Sequence, residues 1–183
     1  MEFKVGEKVV HPFHGVGKVV GKEEKKFFDK DAQKYYEVET PKLTIWVPVE
    51  DGDNPGLRSL TKRSDLPEFR DLLKSAPKKF AQNYRTRQSQ IKSLLQDGSL
   101  AGMIRVVRDL KALERKKTVL NDSDNRSLRD AYDHLCQEWA AIKGTTVSEA
   151  SREIDRLLAE SNEAAIKKEA KGSGQSMEQA FAG

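Results

Sequence analysis

The spacing of hydrophobic and polar positions changes near residue 64. Before it, apolar residues come in short, β-rich stretches: Phe3 with Val5, Val9–Val10, Val16 to Val20, Lys34 to Glu39, and Leu43 to Val49. Gly6, "HPFHG", "DKDAQ", "TPK" and "DGDNPG" separate them, and each carries glycine, proline or aspartate suited to a turn. In the last stretch Leu43, Ile45, Val47 and Val49 alternate with Thr44, Trp46 and Pro48, so one set faces a core and the other faces outward. Five short strands in about 60 residues predict a small, strongly bent antiparallel barrel of the SH3 or Tudor type.

After Ser64 the period becomes helical. "SDLPEFRDLLKS" has capping residues, an early proline and the apolar set Phe69, Leu72 and Leu73, and Pro77 ends it. A second helix is predicted from about Lys78 to Gln96, stopped by Gly98, and a third from about Ser99 through Leu100, Met103, Val107, Leu110 and Leu113. The fourth starts near Ser123 and repeats Leu128, Tyr132, Leu135, Trp139 and Ile142 by fours and threes, with Gly144 closing it. The fifth opens with the capping box Thr146-x-x-Glu149 and offers Val147, Ala150, Ile154 and Leu157 for packing. The prediction is therefore an α+β chain, with a barrel over 1–62, about five helices over 63–165, and a small, polar tail over 166–183 that is expected to be disordered.

Composition narrows the chemistry. With 37% hydrophobic and 34% charged residues in 183, the chain is surface-rich with a modest core. No run approaches the roughly 20 apolar residues of a membrane span, and "MEFKVGEK" has no apolar secretory segment. The lone Cys136 excludes an intrachain disulfide, so a reducing, cytoplasmic setting is expected. Three histidines and one cysteine do not provide paired zinc-ligand spacings, and neither His11 nor His14 has a nucleophile or carboxylate partner marked by the sequence. "HPFHG" reads as a tight loop, and no metal, cofactor or catalytic site is expected.

Charge is segregated. Between Asp71 and Asp97 stand six basic residues (Lys74, Lys78, Lys79, Arg85, Arg87 and Lys92) and no acidic one, and Arg105 and Arg108 extend the run towards Asp109. Such a segment attracts phosphates in a salt-dependent way. Phe80 and Tyr84 lie inside it, one helical turn apart, where an aromatic could wedge against a base step. Trp139 falls on the core stripe of the fourth helix, whereas Trp46 faces outward on a strand ending in proline, the pattern of an edge strand that binds a partner.

Together "FKVGEKVVHPFHGVGKV", "LTIWVPV…PGLR" and "VVRDL" resemble, in order and spacing, the CarD/CdnL family of bacterial transcription regulators over about residues 1 to 165. The resemblance implies a Tudor-like domain that pairs a strand with the β subunit of RNA polymerase. It further implies a helical domain on promoter DNA at the upstream edge of the bubble, where a tryptophan wedge slows bubble collapse. Carried onto this chain, the polymerase-binding positions are Lys25, Thr44, Trp46 and Pro48, and Trp46 stands where the family often has arginine. The resemblance places the wedge on Tyr84, or on Phe80 if the register shifts by one turn, and DNA-binding basic positions on Arg87 and Arg126; Lys79, Arg85 and Lys92 of the basic segment complete the expected DNA-binding set. The expected chain is a monomeric, non-enzymatic regulator that stabilises the open promoter complex without touching a membrane. Two other readings stay open at this level: an adaptor whose basic helix is only solvated, and an RNA-binding module.

Overall fold

The computed structural model describes residues 2–26, 32–49, 56–115 and 119–161. Five strands, β1 (Lys8–His11), β2 (Gly15–Lys25), β3 (Gln33–Glu39), β4 (Thr44–Pro48) and β5 (Arg58–Ser59), form one antiparallel sheet in the order β4-β3-β2-β1-β5. A 3-10 turn (Arg63–Asp65) leads into α1 (Leu66–Lys74), α2 (Tyr84–Leu95), α3 (Leu100–Arg115) and α4 (Asp122–Lys143), and a fifth helix, α5, begins at 147 and continues through 161. The chain is thus α+β, a Tudor-like sheet followed by five helices. The "DKDAQ" turn up to Asp31, the "DGDNPG" turn up to Pro55 and the tail after 161 lie outside the described residues.

Most predicted strands appear, but the first does not. Residues 3–5 are irregular, and Phe3 enters the sheet core from a loop, its amide donating to the Tyr36 hydroxyl at 3.1 Å. The fifth strand is instead Arg58–Ser59, which pairs with Val9 and Val10. β2 runs past Val20 to Lys25, with a register shift between Val19 and Gly21 that bends it. Along β4, Val47 is buried and Ile45 and Val49 pack beside the core, as their alternation predicts, but Leu43 is 46% exposed. It sits in a turn rather than the strand: Thr40 Oγ1 donates to the Leu43 carbonyl at 2.6 Å.

Two separate apolar clusters hold the molecule. Phe3, Val9, Val19, Tyr36, Val38, Val47 and Leu57 fill the sheet. Leu73, Ile91, Ile104, Leu110, Leu135 and Trp139 lead a larger cluster among the helices. Asn121 caps α4 by accepting from the Asp124 amide at 2.9 Å, and Gly144 ends it in the left-handed region at φ 71°. The capping box before α5 forms in both directions, Thr146 N–H to Glu149 Oε2 at 2.9 Å and Glu149 N–H to Thr146 Oγ1 at 3.2 Å. Val147 beside it is 50% exposed rather than packed, because it precedes the buried face formed by Ala150, Ile154 and Leu157.

A polar clamp joins the two clusters. Glu138 on α4, fully buried, accepts two hydrogen bonds from the Arg58 guanidinium at 2.7 and 2.6 Å and another from Thr61 Oγ1 at 2.7 Å. Arg58 Nε donates onward to the Gly98 carbonyl at 2.9 Å, between α2 and α3. One arginine on the last strand thereby joins sheet and helices.

Candidate functional site

β4 is the end of the sheet. Hydrogen-bonded to β3 on one side only, it leaves one row of backbone groups without a ladder partner among the described residues. Such an edge can accept a partner strand, and Pro48 at its end limits how far pairing runs. Thr44, Trp46 and Pro48 alternate with the core residues and so share the outer face, opposite Glu39, Glu37 and Tyr35 of β3. From β2, Lys25 reaches over β3 and sets its ammonium 3.0 Å from the Trp46 ring centroid, while pairing with Glu23 at 3.5 Å. The four strand-side positions are brought together. Trp46 is half-buried, one ring face being capped by a cation.

The second candidate surface surrounds the start of α2. The helix begins at Tyr84 and not at Lys78, because Asn83 caps it by accepting from the Thr86 amide at 3.2 Å. Residues 76–83 before it are irregular. Phe80 packs part-buried against the helical core, while Tyr84, in the first turn of α2, is 49% exposed. Lys79, Arg85 and Lys92 are exposed with it, and Arg126 is exposed on α4 two residues beyond Asp124. The first turn of α2 has no acidic side chain, so its unpaired N–H groups and positive dipole end add to the cations.

Arg87 departs from expectation. It is 7% exposed, and its guanidinium is spent inside the protein: Nε and Nη2 meet Asp124 Oδ2 at 2.9 and 2.8 Å, and Nη1 donates to the Ala81 and Gln82 carbonyls at 3.0 Å each. No donor pair faces solvent for a phosphate. Arg108, counted with the basic run, is likewise buried against Asp109, the Leu72 carbonyl and Ser75. The cationic face is therefore narrower than the sequence count, and Lys79, Arg85, Lys92 and Arg126 are its exposed candidates.

The "HPFHG" stretch is a hairpin joining β1 to β2, His11 paired with Gly15. The Phe13 amide donates to His11 Nδ1 at 3.1 Å, and Gly15 sits at φ 71°, where His134 and Gln137 of α4 leave no room for a Cβ. The His11 and His14 rings meet at 4.6 Å between centroids, tilted by 39°. Burial first, then the neighbouring His14 and His134, push the His11 imidazole down to about 4. Burial likewise lowers His134. All three histidines of the chain thus meet at the seam between sheet and α4, and among the described residues no group of three or more His, Cys, Asp or Glu is placed to hold a metal ion. No helix among the described residues is long and apolar enough to cross a membrane.

Besides Arg108, sequence reasoning missed two arginines that work inside the molecule, Arg58 and Arg87. Their acceptors, Glu138 and Asp124, lie 80 and 37 positions away. The one available signal was on α4: both carboxylates fall on its otherwise apolar side, a pattern that calls for a buried cation.

The CarD-like/TRCF RID domain, an RNA polymerase-interacting domain, matches residues 3–61, and the CarD C-terminal domain matches residues 68–155. A Bacillus subtilis (strain 168) protein described as "Putative transcription factor YdeB" is 28% identical over 150 residues, covering 79% of this chain and 94% of the relative. With both modules matched in order over the sheet and the helices, the chain belongs to the CarD-like family of transcription factors.

Proposed function

We propose that the protein bridges RNA polymerase and promoter DNA and stabilises the open promoter complex. In this reading the β4 edge pairs with a strand of the polymerase β subunit, with Lys25, Thr44, Trp46 and Pro48 on the contact face. The helical half lies on the upstream edge of the bubble, with Lys79, Arg85, Lys92 and Arg126 towards phosphates and Tyr84 against a base step. The chain works as a monomer in the cytoplasm. The observation that carries the reading is Tyr84: a half-exposed aromatic in the first turn of a helix without first-turn acids, in a chain whose sheet is of the polymerase-interacting kind.

The mechanism is linkage. A ligand shifts an equilibrium only by its differential affinity for the two states. Cations hold closed and open promoters alike, since both present phosphates. An aromatic wedge discriminates, because a partly unstacked step costs less to enter than intact duplex. Tyrosine offers a smaller ring than tryptophan, so the discrimination is modest.

The test is the affinity of the full chain for a forked promoter duplex, measured by anisotropy across a salt series. Arg85→Ala is expected to lower the logarithmic salt slope by about one unit. No measurable binding of the duplex even at low salt identifies an adaptor without DNA binding, and equal or tighter binding of structured RNA identifies an RNA-binding module.

A further inference from the structure

Residues 76–83, which deliver the chain to Tyr84, have no secondary structure, yet side chains from two helices, α2 and α3, hold them. Asp109 of α3 accepts from the Lys78 amide at 3.0 Å, and Gln90 of α2 accepts from the Ala81 amide at 3.1 Å. Phe80 packs on the helical core. Arg87 then binds the two carbonyls, Ala81 and Gln82, that immediately precede the cap residue Asn83. Behind Arg87, Asp124 is fully buried at the first turn of α4 and also accepts from Gln88 Nε2 at 2.5 Å and Asn121 Nδ2 at 2.9 Å.

From this arrangement we infer that Arg87, seated on Asp124, is the positioning residue that presents Tyr84 to the DNA. The inference rests on the reading of Tyr84 as the wedge. Arginine is required because one planar fork must serve a carboxylate on one side and two carbonyls on the other, and an ammonium has neither the reach nor the fixed directions. A buried ion pair is weak evidence for stability, and its better-attested use is to fix one arrangement among several. Here the arrangement fixed is the entry of the chain into α2. A ring held in place before it meets the DNA loses less freedom on binding, so more of its contact energy remains to favour the open state.

The experiment is a double-mutant cycle in the full chain, with Arg87→Lys and Tyr84→Ala. The readout is the lifetime of open promoter complexes challenged with competitor, alongside a thermal melt and polymerase affinity. Arg87→Lys is expected to shorten the lifetime nearly as much as Tyr84→Ala, to add less than about twofold once Tyr84 is gone, and to leave polymerase affinity within about twofold. It is also expected to leave the salt slope of duplex binding unchanged. Independent, multiplying effects of the two substitutions overturn the inference, as does an unaltered lifetime with Arg87→Lys or a salt slope lowered by about one unit, the mark of a phosphate ligand. Should Arg87→Lys lose its cooperative melt, Gln90→Ala, at an exposed position, enters the same cycle and is expected to show the same non-additivity with a smaller effect. If Tyr84→Ala alone leaves the lifetime intact, the wedge reading falls and this inference falls with it. If Tyr84→Ala shortens the lifetime and neither positioning variant does, only this inference falls.

Discussion

Arg85 and Arg87 stand two positions apart in one acid-free segment, and nothing local distinguishes them. The difference is made by Asp124, which is distant in sequence and fully buried, so Arg87 turns inward while Arg85 stays in water. Burial of a long cationic side chain depends on a partner that a linear reading does not locate. Apolar residues are more legible: Trp139, read as core from its fours-and-threes spacing, has no exposed surface. Trp46 tests the same logic on a strand. Its ring lies outside the sheet core with Lys25 against one face, so Trp46→Ala is expected to weaken polymerase binding by about 2 kcal/mol, the scale of an aromatic hot spot. Isothermal titration with the polymerase β subunit measures the loss. A thermal melt checks that the fold survives, and a collapsed melt would make Trp46 a core residue.

At the level of elements, four of five strands and all five helices were legible, because alternation and helical spacing follow from which face meets a core. The misreadings came from the same source. Phe3 is apolar and buried, as a strand residue would be, but reaches the core from an irregular segment. Residues 78–83 contain no helix breaker, yet Asn83 takes the capping role and starts α2 late. The β1–β2 hairpin carries a consequence for pH. An unfolded imidazole takes up its proton near 6.5, whereas His11 in the folded chain resists down to about 4. Between those values the unfolded chain binds more protons, so this contribution is fully present above about 6.5 and is lost as pH falls towards 4. His11→Gln is expected to flatten urea-derived stability across that window. An identical pH profile for the variant would show that burial at the seam does not hold the imidazole neutral.

Across the whole molecule, two apolar cores are joined by a polar clamp. Arg58 joins Glu138 to the α2–α3 turn, so sheet and helices are tied by charge-assisted hydrogen bonds. Removing one partner of a buried pair leaves the other without compensation. Arg58→Ala is therefore expected to destabilise the chain by about 2 kcal/mol, less than for a wholly buried pair because Arg58 keeps 26% of its side chain in water. Urea denaturation checks the value, and a loss below about 0.5 kcal/mol, the range of ordinary surface changes, would mean the clamp is slack. In the proposed function the chain favours the open promoter by adding a wedge to a polymerase tether. The most direct measurement is the lifetime of a competitor-challenged open complex with wild type, Tyr84→Ala and Tyr84→Trp, each at saturating concentration. A longer lifetime is expected with wild type than without the protein, most of that gain lost with Tyr84→Ala though duplex binding persists, and a further gain with Tyr84→Trp. A folded Tyr84→Ala variant that prolongs the open complex as well as wild type would contradict the proposed function.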